Sequence, residues 1–568
     1  MLSVKRLLYV ILLVITVSSI FMIYNINEEK TKKNEIYNKA VEEEPLSKEI
    51  SITKENEPKF LITGSNNKEI YKEIYRNTCL IMSDLKLFYE EKNKIETKDL
   101  NKNTVLIFCD DIVSNYIDLK TLGQFIIGGG KVIFAGGLAE GNEESYLYPF
   151  LGIKEKTIKE NYNKLSFAKE LFPIQYEEMN YDGYNASTWI SIKNDAEVYV
   201  EDANKKVPIL YSYSYEKGKS FLINGTFMAD INCSGILTGA IGAIMDDFIY
   251  PIVGSTGVFL DNFPMVTYIN DKISMKLYGR NTEAFVRDTV WPVFLGISLR
   301  QNIPYTSSVL IESSKDKSFP AINDSLFSTI GKSALQHQGE LVYGSNCEDE
   351  NKIYLNKDFL ESFNEVFPRY DVNGLVMMSD KLSRNIINIP NVKIKNIRGH
   401  LGSSESNRRF NSGSSYSVFP AATFGNTLEE GNLLEITSVI ASYGMISHVF
   451  DINTLIAEDE NIPSWDKYKK QIGLFEEKVL KPASYLEGKT LSQMRSKVKS
   501  YANMEFGWRK EGNRIEIDCS KFINGQTFFY KTNGEIESAE GLSFEKIDNG
   551  YYLLKLANEH AVIELKER

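Results

Sequence analysis

The chain has 568 residues, with 65 lysines and arginines against 76 aspartates and glutamates, a net charge of −11. Such a length corresponds to roughly three or four domains, and 43% hydrophobic with 12% aromatic residues is enough to fill several cores, which argues against a disordered chain. The acidic balance argues against a nucleic-acid partner, which needs clustered basic surface.

Five cysteines, Cys79, Cys109, Cys233, Cys347 and Cys519, are scattered without a C-x-x-C spacing, so neither a zinc knuckle nor a disulfide framework is visible. Four histidines (His337, His400, His448 and His560) are too few for an all-His metal site.

Lys5-Arg6 precede the apolar run Leu7–Tyr24, about long enough to cross a bilayer. The run exceeds the usual core of a signal peptide and no A-x-A site closes it, which favours an uncleaved anchor over residues 1–26. Residues 27–58 are charged and nearly free of aromatics, the composition of a solvated spacer; a binding arm is the alternative.

From Phe60 the pattern changes. Short β-rich runs (Phe60–Gly64, Thr104–Cys109, Lys131–Ala135) alternate with helical stretches over Lys68–Glu91 and Tyr116–Ile127, which predicts a parallel α/β sheet. The glycines of Gly128-Gly129-Gly130 fit a helix C-cap better than a phosphate loop. Cys109 lacks a nucleophile elbow and reads as a strand-end core thiol. Residues 207–229 predict a hairpin, and a helix over Ile236–Phe248 leads to a boundary at Tyr250-Pro251. The first globular unit is therefore residues 59–250.

The second unit, residues 251–508, opens on Gly257–Pro264. Here an apolar run ends in Asp261-Asn262, the way a strand delivers polar groups to the mouth of a sheet or barrel. A helix over Asn281–Gln301 carries Trp291-Pro292. Strands are expected over Pro304–Leu310, Gly339–Cys347, Val372–Met377, Val392–Ile397 and Met445–Phe450, with helices over Asn356–Phe367, Leu428–Ser442, Trp465–Val479 and Leu491–Tyr501. Arg398–Ser417 reads as a long Ser- and Arg-rich loop. The tail, 509–568, alternates between Gly and Asn turns as a small β-sandwich does.

Asp261-Asn262-Phe263-Pro264, Val290-Trp291-Pro292, Ile303-Pro304-Tyr305-Thr306, Gly339-Glu340, Tyr343-Gly344-Ser345-Asn346-Cys347 and Ser447-His448 occur in one order. That order resembles a family of exported NodB-like polysaccharide deacetylase relatives, some associated with Pel-type exopolysaccharide systems. The resemblance implies an α/β fold: an amidotransferase-like parallel-sheet domain, then a distorted (β/α) barrel. It also implies export, and so a body outside the cell on a single-pass anchor, although Lys30, Lys32, Lys33 and Lys39 outnumber Lys5 and Arg6 against the positive-inside count.

Deacetylases of this kind hold a divalent metal with one carboxylate and two imidazoles, while a second carboxylate acts as base and a His protonates the leaving amine. By the resemblance, Asp261 stands at the base and His448 at the catalytic histidine. Asn262, Tyr343 and Cys347 stand at degraded metal-ligand positions, and Asp451 replaces a second His. Trp291 is a candidate sugar-stacking residue, with a core position as its alternative.

The function expected is a membrane-anchored extracytoplasmic pseudo-deacetylase. It would have no metal or other cofactor and no nucleic-acid partner, and would bind an amino-sugar polysaccharide or support the exopolysaccharide machinery. The alternative is an active enzyme, a zinc-dependent deacetylase or a glycoside hydrolase with an atypical site.

Overall fold

A computed structural model describes residues 45–52, 57–64, 68–139, 143–181, 183, 185–264, 271–313, 324–348, 354–379, 393–399, 410–412, 417–420, 423–425, 428, 430–452, 465–548 and 550–567. The apolar run Leu7–Tyr24 lies outside the described residues, among which no helix is long and apolar enough to cross a membrane.

In the first unit five strands run parallel in the order Tyr89–Glu91, Lys59–Thr63, Thr104–Phe108, Lys131–Phe134, Gly218–Ile223. This is the 2-1-3-4-5 order of doubly wound sheets, continued by an antiparallel wing that begins with Pro208–Tyr215. The helix expected over 68–91 stops at Asp84. Lys86 takes a left-handed φ of 60° and the chain turns into the edge strand Tyr89–Glu91. The triple glycine does cap a helix: Gly128 and Gly129 donate to Gln124 and Ile126, and Gly129 adopts a φ of 106° that favours glycine. Cys109 is fully buried, and burial pushes its thiol far above the usual range.

The expected boundary at Tyr250-Pro251 falls instead inside a strand. The preceding helix ends at Ile244, and Asp247–Ile252 pairs antiparallel with Gln526–Thr532. The tail is therefore a sandwich of two four-stranded sheets, one of which borrows this strand from before the barrel. Asp247 fixes the loan. It is buried and accepts from Tyr530, Thr532 and Lys510. Part of the expected spacer is seated rather than solvated, since Ser47 donates its amide to Phe522 and Glu57 accepts from the Trp508 amide.

The main barrel strands run parallel, with the short strands Tyr354–Leu355 and Asn411–Ser412 pairing antiparallel at their margins. In order round the ring they are Ser255–Asp261, Tyr305–Ser313, Glu340–Asn346, Gly374–Met377, Asn396–Gly399 and Ser417–Pro420. On the other side of Ser255–Asp261 lies Met445–Asp451, which pairs with Thr423–Phe424. At one edge the sheet runs on past Ser417–Pro420 to the short strand Asn411–Ser412 and at the other it ends at Thr423–Phe424, and it curls far enough to bring Arg398 against Asp261 across three intervening strands. Arg398 is thus part of a strand, not the start of a loop. His400, Arg408 and Arg409 lie outside the described residues. The helix carrying Trp291-Pro292 widens over Val286–Val290, which accommodates a proline ring that an ordinary turn would not.

Alternation along each strand separates two faces. Phe259, Val342, Val376 and Val449 point into the ring, with Leu491 and Met494 of the helix Leu491–Asn503 closing its floor. Val258, Leu260, Ile446 and Phe450 point outward into another cluster. Gly257 and Gly374 make room for the plug: a Cβ on Gly257 would stand 2.7 Å from the Met494 sulfur, and one on Gly374 would stand 2.8 Å from Leu491.

The start of the plug helix is held by Glu340, whose carboxylate accepts from the amide and hydroxyl of Ser492, while Leu491 donates its amide to Thr306. Burial raises the pKa of Glu340 above its ordinary 4.5 despite those bonds. A raised carboxyl pKa favours folding at low pH and loses that contribution as pH rises through the folded value. Glu340→Gln, whose oxygen can still accept from the Ser492 amide while its NH2 donates to the Ser492 hydroxyl, is therefore expected to gain stability over the native chain from pH 4.5 upward. Urea unfolding between pH 4 and 8 measures this, and a pH-independent difference would contradict it.

Candidate functional site

The strand ending at Asp261 delivers its carboxylate to the inner face of the ring mouth, on the same side as Phe259 two residues earlier. Asp261 is 3% exposed. Arg398 donates to both of its oxygens, at 3.0 and 2.8 Å, and Ser308 donates to Oδ1 at 3.0 Å. Arg398 is itself 2% exposed, gives a further bond to the Met377 carbonyl, and lies over the Phe259 ring at 5.0 Å. A bidentate guanidinium–carboxylate pair fixes both planes, so Asp261 cannot rotate without leaving a buried cation behind.

Asn262 leaves the strand with a φ of 57°, a left-handed turn that Asn tolerates better than most residues. Its side-chain amide donates to Oδ1 of Asp451 at 3.2 Å. Asp451 is half-buried and stands directly beside Asp261 in the strand register. The mouth therefore brings together Asp261, Asn262, Ser308, Arg398 and Asp451.

Two sequence-predicted residues face the other way. His448 alternates with Asp451 and Val449, so its ring points outward. It stacks on Phe475 at 4.1 Å, meets the edge of Phe450 at 4.6 Å, and its Nε2 lies 3.0 Å from the Gly425 carbonyl. Burial lowers its pKa to about 3, which keeps the imidazole neutral and out of reach of the mouth. Tyr343 likewise belongs to the outer cluster. Its ring meets Phe363 edge-on at 5.8 Å, and burial pushes its hydroxyl up to about 12.

Cys347 is fully buried just beyond its strand, and its carbonyl accepts from Ser379. Trp291 is 6% exposed, packs on Phe263 at 5.7 Å and donates its indole N–H to Ser333, a core position beneath the mouth. Among the described residues, no group of three His, Cys, Asp or Glu side chains could hold a metal ion. The donors present at the mouth do not fit a divalent ion held by one carboxylate and two imidazoles.

Sequence reasoning missed Arg398 and Ser308. Ser308 carried no signal in an ordinary β-rich run. Arg398 carried a faint one, a charge directly following the apolar alternation of Val392–Ile397.

Residues 22–346 and 362–553 match the family described as an uncharacterised protein conserved in bacteria (DUF2194). The chain belongs to that family. No curated protein matches the sequence. Among solved structures, it is similar to Agd3, a carbohydrate deacetylase, at 9% identity and a TM-score of 0.54, over 90% of this chain and 99% of that one. That likeness extends through all three parts of this DUF2194 member and concerns the fold alone. A ThuA-like protein from Bacteroides uniformis (12% identity, TM-score 0.26, 35% of this chain and 95% of that one) is too slight a likeness to carry any argument. The same holds for a β-galactosidase from Bacillus circulans sp. alkalophilus (13%, 0.24, 33% and 31%).

Removing one partner of a buried ion pair leaves an uncompensated charge, at a cost of about 3–5 kcal/mol. Arg398→Met is expected to lose that much in denaturant unfolding, and the double variant with Asp261→Asn to recover part of it; additive losses would mean that the pair is not coupled. For His448 the folded pKa is depressed, so its contribution is present above pH 6.5 and lost as pH falls toward 3. His448→Gln is expected to flatten that acid limb in thermal unfolding scans, and an unchanged limb would refute it.

Proposed function

We propose that the ring mouth binds a carbohydrate polymer without metal-dependent deacetylation. The observation that carries this reading is the strand parity that turns Tyr343 and His448 to the outer face while Asp261, Arg398, Asn262 and Asp451 share the inner one. A network of charged and amide groups suits the hydroxyl and amide groups of a sugar chain. The overall likeness to a carbohydrate deacetylase supports the same ligand class. An amino-sugar polymer is the ligand we favour. On this reading Leu7–Tyr24 anchors the chain in the membrane with its body outside, where it supports exopolysaccharide synthesis or export.

The full-length protein in detergent tests this with two measurements. Partially N-acetylated chitosan and polygalactosamine are offered as ligands. Acetate release is then followed before and after adding zinc, cobalt or nickel. Binding of at least one polymer, weakened about tenfold or more by Asp451→Ala, with no acetate under any condition, is expected. Stoichiometric metal and acetate release abolished by a chelator would overturn the reading, as would failure to bind either polymer.

A further inference from the structure

The tail sandwich has four edge strands, and an edge strand presents backbone donors and acceptors that another chain can pair with. Three of the four are closed. Asp247–Ile252 is buried throughout and carries Pro251, which has no N–H to offer. Glu505–Glu511 is met by the segment that precedes the first unit, since Glu57 accepts from the Trp508 amide. Ile536–Glu540 is broken by a bulge between Ile536 and Ser538 and exposes Glu537 and Glu540.

The fourth, Leu542–Lys546, is regular and open. It pairs with Tyr551–Leu556 without a register shift. Just beyond its two ends, Ala557 donates to Gly541 and Ile547 donates to Tyr551. Antiparallel bonds recur at every second residue, so Ser543 and Glu545 also bond inward. The amides and carbonyls of Leu542, Phe544 and Lys546 then point away from the neighbouring strand. Ser543 to Lys546 are exposed, and Phe544 is 39% exposed beside Tyr552.

We propose that this edge is a dimer interface, in which Leu542–Lys546 pairs antiparallel with the same strand of a second copy about a two-fold axis at Phe544. A two-fold contact must be complementary to itself, and the axis at Phe544 is the one that pairs all five residues. It sets Phe544 opposite Phe544, Leu542 opposite Lys546 and Ser543 opposite Glu545. The outward-bonding residues all find one another, and no like charges meet. An axis at Glu545 would set two carboxylates face to face, which is destabilising.

Charge complements the register. Lys555 lies opposite Ser543 on the neighbouring strand and is partly exposed. Across that small side chain it faces Glu545 of the second copy. The joint is only five residues long on each side, far below the roughly 1,200 Å² of a stable complex, so the dimer is weak and reversible.

The full-length protein in detergent tests this. Four native cysteines are buried and Cys79 is half-buried, so an introduced surface thiol dominates oxidation. Opposed hydrogen-bonded residues have Cα atoms about 5.5 Å apart, within disulfide reach. Phe544→Cys is therefore expected to form disulfide dimers about tenfold or more faster than Glu545→Cys, whose two copies stand on a diagonal beyond that reach. Leu542→Cys and Lys546→Cys are expected to link to each other when mixed, and each only slowly to itself. In sedimentation velocity the native chain is expected to show a dimer fraction that rises with concentration, while Phe544→Asp, which opposes two carboxylates, stays monomeric. Equal linking rates for Phe544→Cys and Glu545→Cys would mark chance collision and overturn the interface. So would Leu542→Cys linking to itself as fast as the mixture, a native chain that stays monomeric at every concentration, or a Phe544→Asp chain that still dimerises.

Discussion

A carboxylate and a guanidinium from strands 137 residues apart in sequence meet inside a ring that admits almost no water to either. Two ions cannot be withdrawn from water singly, because each would then lack a counter-charge in a medium of low polarity. Asp261 and Arg398 must therefore arrive together, and the geometry that brings them together is the strong curl of the sheet. The strand of Arg398 reaches its place only if the strands of Ser308, Tyr343 and Val376 lie between it and Asp261 in order. Ser308 and the Met377 carbonyl supply further bonds, and the Phe259 ring lies against the guanidinium face.

The floor of the ring depends on another buried acid. Glu340 accepts from the amide and hydroxyl of Ser492 at the start of the helix Leu491–Asn503, and Leu491 and Met494 fill the space left by Gly257 and Gly374. The same helix leads directly into the sandwich, which holds the strand Asp247–Ile252 from before the barrel. Tyr250 of that strand donates to Ala441, and Tyr551 donates to Leu171 of the first unit. The three parts are thus joined through buried polar contacts, and the mouth sits at the end of a ring whose other end is closed.

The alternation of inward and outward side chains decides what the mouth can do. A one-residue difference in strand position moves a group to the opposite face. His448 and Tyr343 are each an odd number of residues from an inward-facing neighbour, which is why motifs that look contiguous in sequence are divided between a polar mouth and an apolar outer face. Asp451, three residues after His448, falls on the inner side. Asp451 therefore lies at the mouth, while His448 does not.

Much of the fold was legible in the sequence, because periodicity and turn residues act locally. The parallel runs from Phe60 to Lys131, the glycine cap at Gly128, the barrel strands and the alternating tail all follow from patterns a few residues long. Asp261 at the end of an apolar run was legible for the same reason. The loan of Asp247–Ile252 to the tail, the curl of the barrel sheet, and the meeting of Asp261 with Arg398, Ser308 and Asp451 were not. Each joins segments far apart in the chain, and a side chain's partner and face are set by strand register and the curl of the sheet. Those are properties of the packed molecule, and no local pattern encodes them.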